Sequence, residues 1–173
     1  MLLPKMQDAL NEQVNAEMWS AYLYLSMAMH FEAEGYAGIA NWYKVQWQEE
    51  LAHAEILRNW INSRGGRVSL KAIDAVPQTW ATPLDAFNDT LAHEQKVTGL
   101  INKLYALAEE EKDYATRGRL DWFVNEQVEE EENCHKLIDR LKLVGNDGMG
   151  LYYFDQELGA RTYTVPSPLA ANS

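Results

Sequence analysis

The stretch Gln46-Trp47-Gln48-Glu49-Glu50-Leu51-Ala52-His53 carries a Glu-x-x-His pair in the middle of a helical pattern. Glu50 and His53 lie three residues apart, so a helix turns both to one face. That face also carries Ile39, Trp42, Gln46, Leu57 and Trp60. It is a core-facing seam with a polar step at its centre. Three further segments have seams of the same kind. The first is Leu10, Val14, Glu17, Ala21, Tyr24, Ala28 and Phe31. The second is Leu84, Phe87, Leu91, Glu94, Thr98, Ile101, Tyr105 and Ala108. The third is Leu120, Phe123, Gln127, Glu130, Cys134, Leu137, Leu141 and Val144. Four such stripes predict an all-α four-helix bundle whose apolar core is crossed by one polar layer.

Helix boundaries follow from local signals. Pro4 starts a helix over residues 5–34, and Gly35 and Gly38 bracket a short turn. A second helix covers 39–64 and stops at Gly65-Gly66. Thr82-Pro83 is an N-cap and first-turn pair for a third helix that ends near residue 112. Asp113 caps a fourth, which runs to about 144, and a short fifth helix is expected over 149–158. Residues 67–81 show neither period. An extended link of that size reaches about 50 Å at most, and a helix of 26 residues is about 39 Å long. The link can therefore run the length of the bundle and leave helices two and three parallel, which is ferritin-like connectivity. One domain over 1–160 is expected, followed by a flexible tail over 161–173 that holds two prolines.

Counting sets the polar residues at one height. Glu17 lies 19 residues before the turn at 36, and His53 lies 17 after it. Glu94 lies 19 before the turn at 113, and Glu130 lies 17 after it. The two halves also repeat with an offset of 77: Glu17 with Glu94, Glu50 with Gln127, His53 with Glu130. The spacing suggests a pseudo-twofold site at the bundle centre.

A buried, unpaired carboxylate costs several kcal/mol, and several of them close together also repel one another. The seams of helices one, three and four hold no Lys or Arg at this level. Metal cations resolve both problems. Glu17, Glu50, Glu94 and Glu130 carry four negative charges, and two divalent ions carry four positive ones. Two trivalent ions sharing an oxo bridge carry the same net charge, so the site could change oxidation state at small electrostatic cost. Carboxylates with a single imidazole suit iron or manganese better than structural zinc, and calcium or magnesium would not need His53. A single Glu-x-x-His recurs by chance on helix faces; the matched set of four carboxylates is the specific signal.

Composition narrows the partners. The chain has 173 residues and a net charge of -11, which disfavours nucleic acid and favours cations. No run of 18 apolar residues occurs, so no membrane helix is expected. The N-terminus turns polar at Lys5, and Cys134 is the single cysteine; both fit a cytoplasmic protein.

On these motifs the sequence resembles the bacterial non-haem ferritins. The likeness rests on Asn11-Glu12-Gln13 leading to Glu17, on Gln48 to His53, on His93-Glu94-Gln95, and on Asn125-Glu126-Gln127-Val128-Glu129-Glu130-Glu131. Gly150-Leu151-Tyr152-Tyr153-Phe154-Asp155 matches the start of the family's short fifth helix. The resemblance implies a shell of 24 subunits that oxidises Fe(II) with O2 or H2O2 and stores ferric mineral. It implies that Glu17, Glu50 and His53 hold one iron and that Glu50, Glu94 and Glu130 hold the second, with Gln127 nearby. Glu49, Glu126 and Glu129 match a third iron position. Tyr24 matches an electron donor and hydrogen-bonding partner, Trp122 an oxidisable tryptophan. Glu130-Glu131-Glu132-Asn133 lacks the histidine of the more symmetrical bacterioferritins, and Ala52 replaces their haem-ligating methionine, so no haem is expected. The tail from Arg161 onward extends past the family's usual end and has no role in this reading. Trp19, Tyr36 and Trp80 are candidates for contacts between subunits. A di-iron peroxidase or oxygenase, and a metal buffer without turnover, remain as alternatives.

Overall fold

Residues 1–145 and 147–170 are described by a computed structural model. Helix α1 spans Pro4–Ala33, α2 Ala37–Ser63, α3 Pro83–Glu110 and α4 Tyr114–Val144, with α5 at Gly148–Leu158 and a single turn, α6, at Ser167–Ala170. The expected start signals act where they stand. Pro4 occupies the first turn of α1, where its missing N–H costs nothing. Thr82 accepts from the Asp85 N–H, and Asp113 from the Thr116 N–H. Asp147 caps α5 through the N–H groups of Met149 and Gly150, which begins that helix one residue earlier than expected.

Gly35 takes φ +86° in the turn between α1 and α2, a conformation that costs a side-chain-bearing residue energy. The two helices then pack antiparallel, as do α3 and α4. Residues 64–82 contain no helix and climb along α1 in the same direction. Arg67 N–H donates to Gln7 Oε1 at 2.8 Å, Ser69 N–H to Asn11 Oδ1 at 2.8 Å, and Ser26 Oγ–H to the Pro77 carbonyl at 2.6 Å. This zipper brings α3 in parallel to α2, as the length of the link allows.

The core falls into two apolar clusters. One gathers Leu23, Met27, Phe31, Ile39, Tyr43, Phe87, Leu141 and Phe154. The other gathers Met6, Leu10, Val14, Leu57, Ile61, Ile101, Leu104 and Phe123. Between them lies the layer of Glu17, Glu50, His53, Glu94, Gln127 and Glu130, all buried.

One expectation changes. Trp80 is buried: it packs on His30 and donates from its indole to Asp89 at 3.1 Å. It belongs to the core of its own subunit and offers no surface to another, because the crossover needs an apolar anchor where it turns into α3. Trp19 and Tyr36 are partly buried against the same cluster. In the segment expected to be loose from 161, Arg161 lies over the Trp42 ring and Leu169 packs on the second cluster. Residues 171–173 lie outside the described residues.

Helix α5 crosses α2 so closely that a Cβ at Gly38 would come within 1.6 Å of the Asp155 carbonyl oxygen. Asp155 also accepts from the Ile39 N–H at 2.8 Å. Gly38→Ala is expected to destabilise the fold by about 2 kcal/mol or more, since the obstacle is backbone and cannot rotate away. A denaturant midpoint unchanged from the native chain would refute this close-approach account.

Candidate metal centre

The centre is assembled at mid-height from all four long helices. The i, i+3 relation on α2 brings His53 Nδ1 to 3.3 Å from Glu50 Oε2. Glu17 on α1 completes a buried group: Glu17, Glu50 and His53 each offer a ligand atom, and these atoms lie within 4.8 Å of one another. Three polar atoms in this layer are buried without a hydrogen-bond partner, namely Glu17 Oε2, His53 Nε2 and Gln46 Oε1. Buried polar atoms are almost always satisfied. Two of the three belong to the carboxylate and imidazole of the group itself, which is the donor chemistry a borderline or hard cation takes.

Glu94 and Glu130 complete the layer from α3 and α4, and neutral donors hold their carboxylates. Tyr24 Oη–H donates to Glu94 Oε1. Gln127 Nε2 donates to Glu94 Oε2 at 3.1 Å and to the Glu94 carbonyl at 3.2 Å. Gln46 Nε2 donates to Glu130 Oε2 at 2.9 Å, and Gln13 Nε2 to Glu17 Oε1 at 2.9 Å. The acids are thus aimed by amides and a phenol, with no cationic side chain among these partners. Gln46 was visible on the seam, but its tie to Glu130, 84 residues away, has no signal in the sequence. Gln13 stands one helical turn before Glu17, a spacing at which such a bond is common.

Electrostatics follow from burial without counter-charge. Burial, then the charge of Glu50, pushes the Glu17 carboxyl up to about 8. Burial and the neighbouring Glu94 push Glu50 well above the usual range, and burial with Glu94 and Glu50 does the same to Glu130. Glu94 rises by burial, although Tyr24 and Gln127 pull it back. Tyr24 is fully buried, and its phenol is pushed well up by burial and by Glu94. Burial thus favours the protonated form of these acids, and a bound cation would favour release of the protons.

The three acids of the expected third position sit beside this layer. Glu126 Oε1 lies 4.0 Å from His53 Nε2. Burial raises the Glu126 carboxyl, and the charges of Glu129 and Glu49 add to that rise. Glu129 is exposed. Glu49 is in an ion pair: Arg161 Nη2 donates to Glu49 Oε2 at 2.6 Å. Trp122 stands edge-on to the His53 ring at 5.5 Å. Cys134 is fully buried, and burial and Glu94 push its thiol up, which is the setting of an inert core thiol. His93 meets Ser20 Oγ at 2.8 Å and the Tyr24 ring edge-on at 5.9 Å. Burial lowers its pKa to about 4, so a neutral imidazole braces the phenol.

A single-crossover bundle with a buried carboxylate and imidazole layer defines the class of carboxylate-bridged metal bundles. Within that class, the chain belongs to the ferritin-like domain family, whose model matches residues 7–144. It is 45% identical over 161 residues to a bacterial non-heme ferritin of Bacteroides fragilis, covering 93% of this chain and 100% of the relative. It is 39% identical over 163 residues to one from Staphylococcus aureus, covering 94% and 98%. Among solved structures, a closed form of the Archaeoglobus fulgidus ferritin made by site-directed mutagenesis superposes with a TM-score of 0.94 at 46% identity, covering 95% of this chain and all of that one. The open-pore ferritin of the same archaeon superposes with a TM-score of 0.93 at 46% identity, covering 94% and 100%. No described helix is long and apolar enough to cross a membrane.

Proposed function

We propose that this protein is an iron-storage ferroxidase of the cytoplasm. The observation that carries this reading is the buried Glu17, Glu50 and His53 group, whose orphaned ligand atoms and raised carboxyls call for a cation. Fe(II) is the substrate. Glu17, Glu50 and His53 take the first ion; Glu50, Glu94 and Glu130 take the second, with Glu50 shared and Gln127 aiming Glu94. Both ions displace protons held by the acids. Two Fe(II) ions then give one electron each to O2, which leaves with two protons as H2O2, or to H2O2, which leaves with two protons as two waters. The protein's part is to hold two reductants together and balance their charge. Tyr24, bonded to Glu94, stands as a further hydrogen-bonding and electron-donating partner. The Fe(III) product passes to a ferric mineral inside a homo-oligomeric shell of 24 chains, consistent with relatives that bear the ferritin name.

The test is an anaerobic Fe(II) titration followed by air, read as near-ultraviolet absorbance, with native mass measured by light scattering. Two or more Fe(II) per subunit, rapid ferric-oxo absorbance and a particle near twenty-four times 19.8 kDa are expected. Tight binding without oxidation would make the protein a metal buffer. Oxidation by a monomer or dimer would make it a di-iron peroxidase or oxygenase.

A further inference from the structure

We infer that the groove between α3 and α4 over Gln127 is the entry for dioxygen, with the Gln127 amide as the door between that groove and the metal layer. This rests on the ferroxidase reading above and names the route of its oxidant.

The layer is closed on most sides. The two apolar clusters close it along the bundle axis. Tyr24, bonded to Glu94 and met edge-on by His93, closes the side between α1 and α3. Between α2 and α4, Glu126 Oε1 lies 4.0 Å from His53 Nε2, so that side is acidic and suits cations. The side between α3 and α4 differs. A cavity of about 360 Å³ opens there, with aliphatic walls from Ile101, Val124 and Val128. Asn102 and Val128 are exposed and mark its mouth. Ile101 and Gln127 are buried and mark its floor. Gln127 also belongs to the layer, so one side chain separates the cavity from Glu94.

The lining suits an uncharged, poorly hydrated molecule. The run Glu126-Gln127-Val128-Glu129-Glu130-Glu131-Glu132 holds two uncharged residues, and both line this cavity. Glu131 lines it too, but its carboxylate is engaged: Thr98 Oγ–H donates to Glu131 Oε1 at 2.6 Å. Thr98 has then given its hydrogen away and accepts from Gln127 Nε2 at 3.3 Å. The same Nε2 reaches Glu94 Oε2 at 3.1 Å and the Glu94 carbonyl at 3.2 Å. An amide nitrogen has two hydrogens, and here it meets three acceptors. It can give up Thr98 and still be satisfied by Glu94. A turn of the amide away from Thr98 joins the cavity to the layer without stranding a buried donor.

Oxygen consumption by the full-length assembly at varied O2 tests this. Xenon-pressurised crystals and anaerobic Co(II) titration add readouts that need no turnover. Xenon fills dry apolar cavities, and it is expected in the groove of the native chain. Val128→Phe and Asn102→Phe stand one on each wall at exposed positions, and both are expected to exclude it. Both should raise the KM for O2 about fivefold with kcat unchanged, the pattern of slower entry. Thr98→Ala, which widens the floor, should leave that KM equal or lower. Co(II) binding should stay native in all three variants. A KM for O2 unmoved by the two Phe variants overturns the inference, as does a native groove without xenon. A KM that rises in Thr98→Ala as well means that Gln127 was disturbed rather than an entry blocked, and overturns it too. A native chain that oxidises Fe(II) with H2O2 and not with O2 removes the need for this route. A native chain that oxidises no Fe(II) with either sinks the ferroxidase reading itself.

Discussion

Glu50→Ala is expected to slow Fe(II) oxidation by about 100-fold or more, since even residues that merely orient metal ligands cost ten- to a hundredfold. Glu50 lies at the centre of the layer. It touches His53 on its own helix, groups with Glu17 from α1, and raises the carboxyls of Glu17 and Glu130 by its charge. Its removal takes one ligand from each of the two proposed ions and leaves four positive charges, before oxidation or after it as an oxo-bridged pair, facing three carboxylates. Folding should not suffer. A buried acid with a strongly raised carboxyl is a cost to the metal-free fold, so its loss is expected to leave metal-free stability equal or higher. The pairing of outcomes is the decisive point. Stopped-flow absorbance after mixing with air, beside a denaturant curve of metal-free protein, reads both. A variant that is normally stable and slow supports Glu50 as a bridging ligand. A variant that oxidises Fe(II) at the native rate removes Glu50 from the chemistry. Glu50→Gln, which keeps the volume, guards against a local collapse being mistaken for lost ligation.

The prominence of Glu50 could be read from spacing alone, and the reason is the regularity of α-helices. A constant rise per residue converts sequence distance into height, so equal counts of 19 and 17 on either side of each turn predicted that Glu17, His53, Glu94 and Glu130 would share a layer. The caps at Thr82 and Asp113 were legible because they act within one turn of chain. Trp80 and Arg161 were not legible, for a common physical reason. Each lies in non-helical chain, where no periodicity links position to direction. The burial of Trp80 depends on how the crossover zips along α1 through Asn11 and Ser26, and Arg161 reaches Glu49 only because Asn41 holds the chain after α5. The direction of Gln46 was legible, since it shares a stripe with Glu50. Its partner was not, because cross-helix pairing depends on side-chain rotamers at contacts between elements. Among the expected third ligands, Glu49 shows the same limit: its helix face was readable, but its ion pair with the tail was not.

Metal-free protein is expected to lose stability as pH rises from about 4.5 to 8, the reverse of an ordinary salt-bridged protein. Glu17 carries the argument. Its ordinary value is 4.5, and burial with the charge of Glu50 moves it up to about 8 in the folded chain. Between those values the folded state keeps a proton that the unfolded state has released. Stability must then fall with rising pH, by about 1.4 kcal/mol per pH unit for each such group. The contribution is complete below 4.5 and gone above about 8. Glu50, Glu94 and Glu130 shift in the same direction, so the slope should exceed that of a single group. Asp113 does not act in this interval, since its hydrogen bonds to Thr116 and Arg64 lower its carboxyl below the ordinary 3.8, and its effect on stability falls at more acid pH. A bound cation reverses the pattern. It takes the place of the protons, so its affinity rises with pH over the same interval, and at a hundred times Kd it stabilises by about 2.7 kcal/mol per site. Thermal denaturation from pH 5 to 8.5, with chelator and with Co(II), is the measurement. The midpoint is expected to fall with pH in chelator and to hold or rise in Co(II), so that the two curves diverge towards alkaline pH. Parallel curves would mean that the layer carries its charge without a metal, and that the acids are neutralised by some other group.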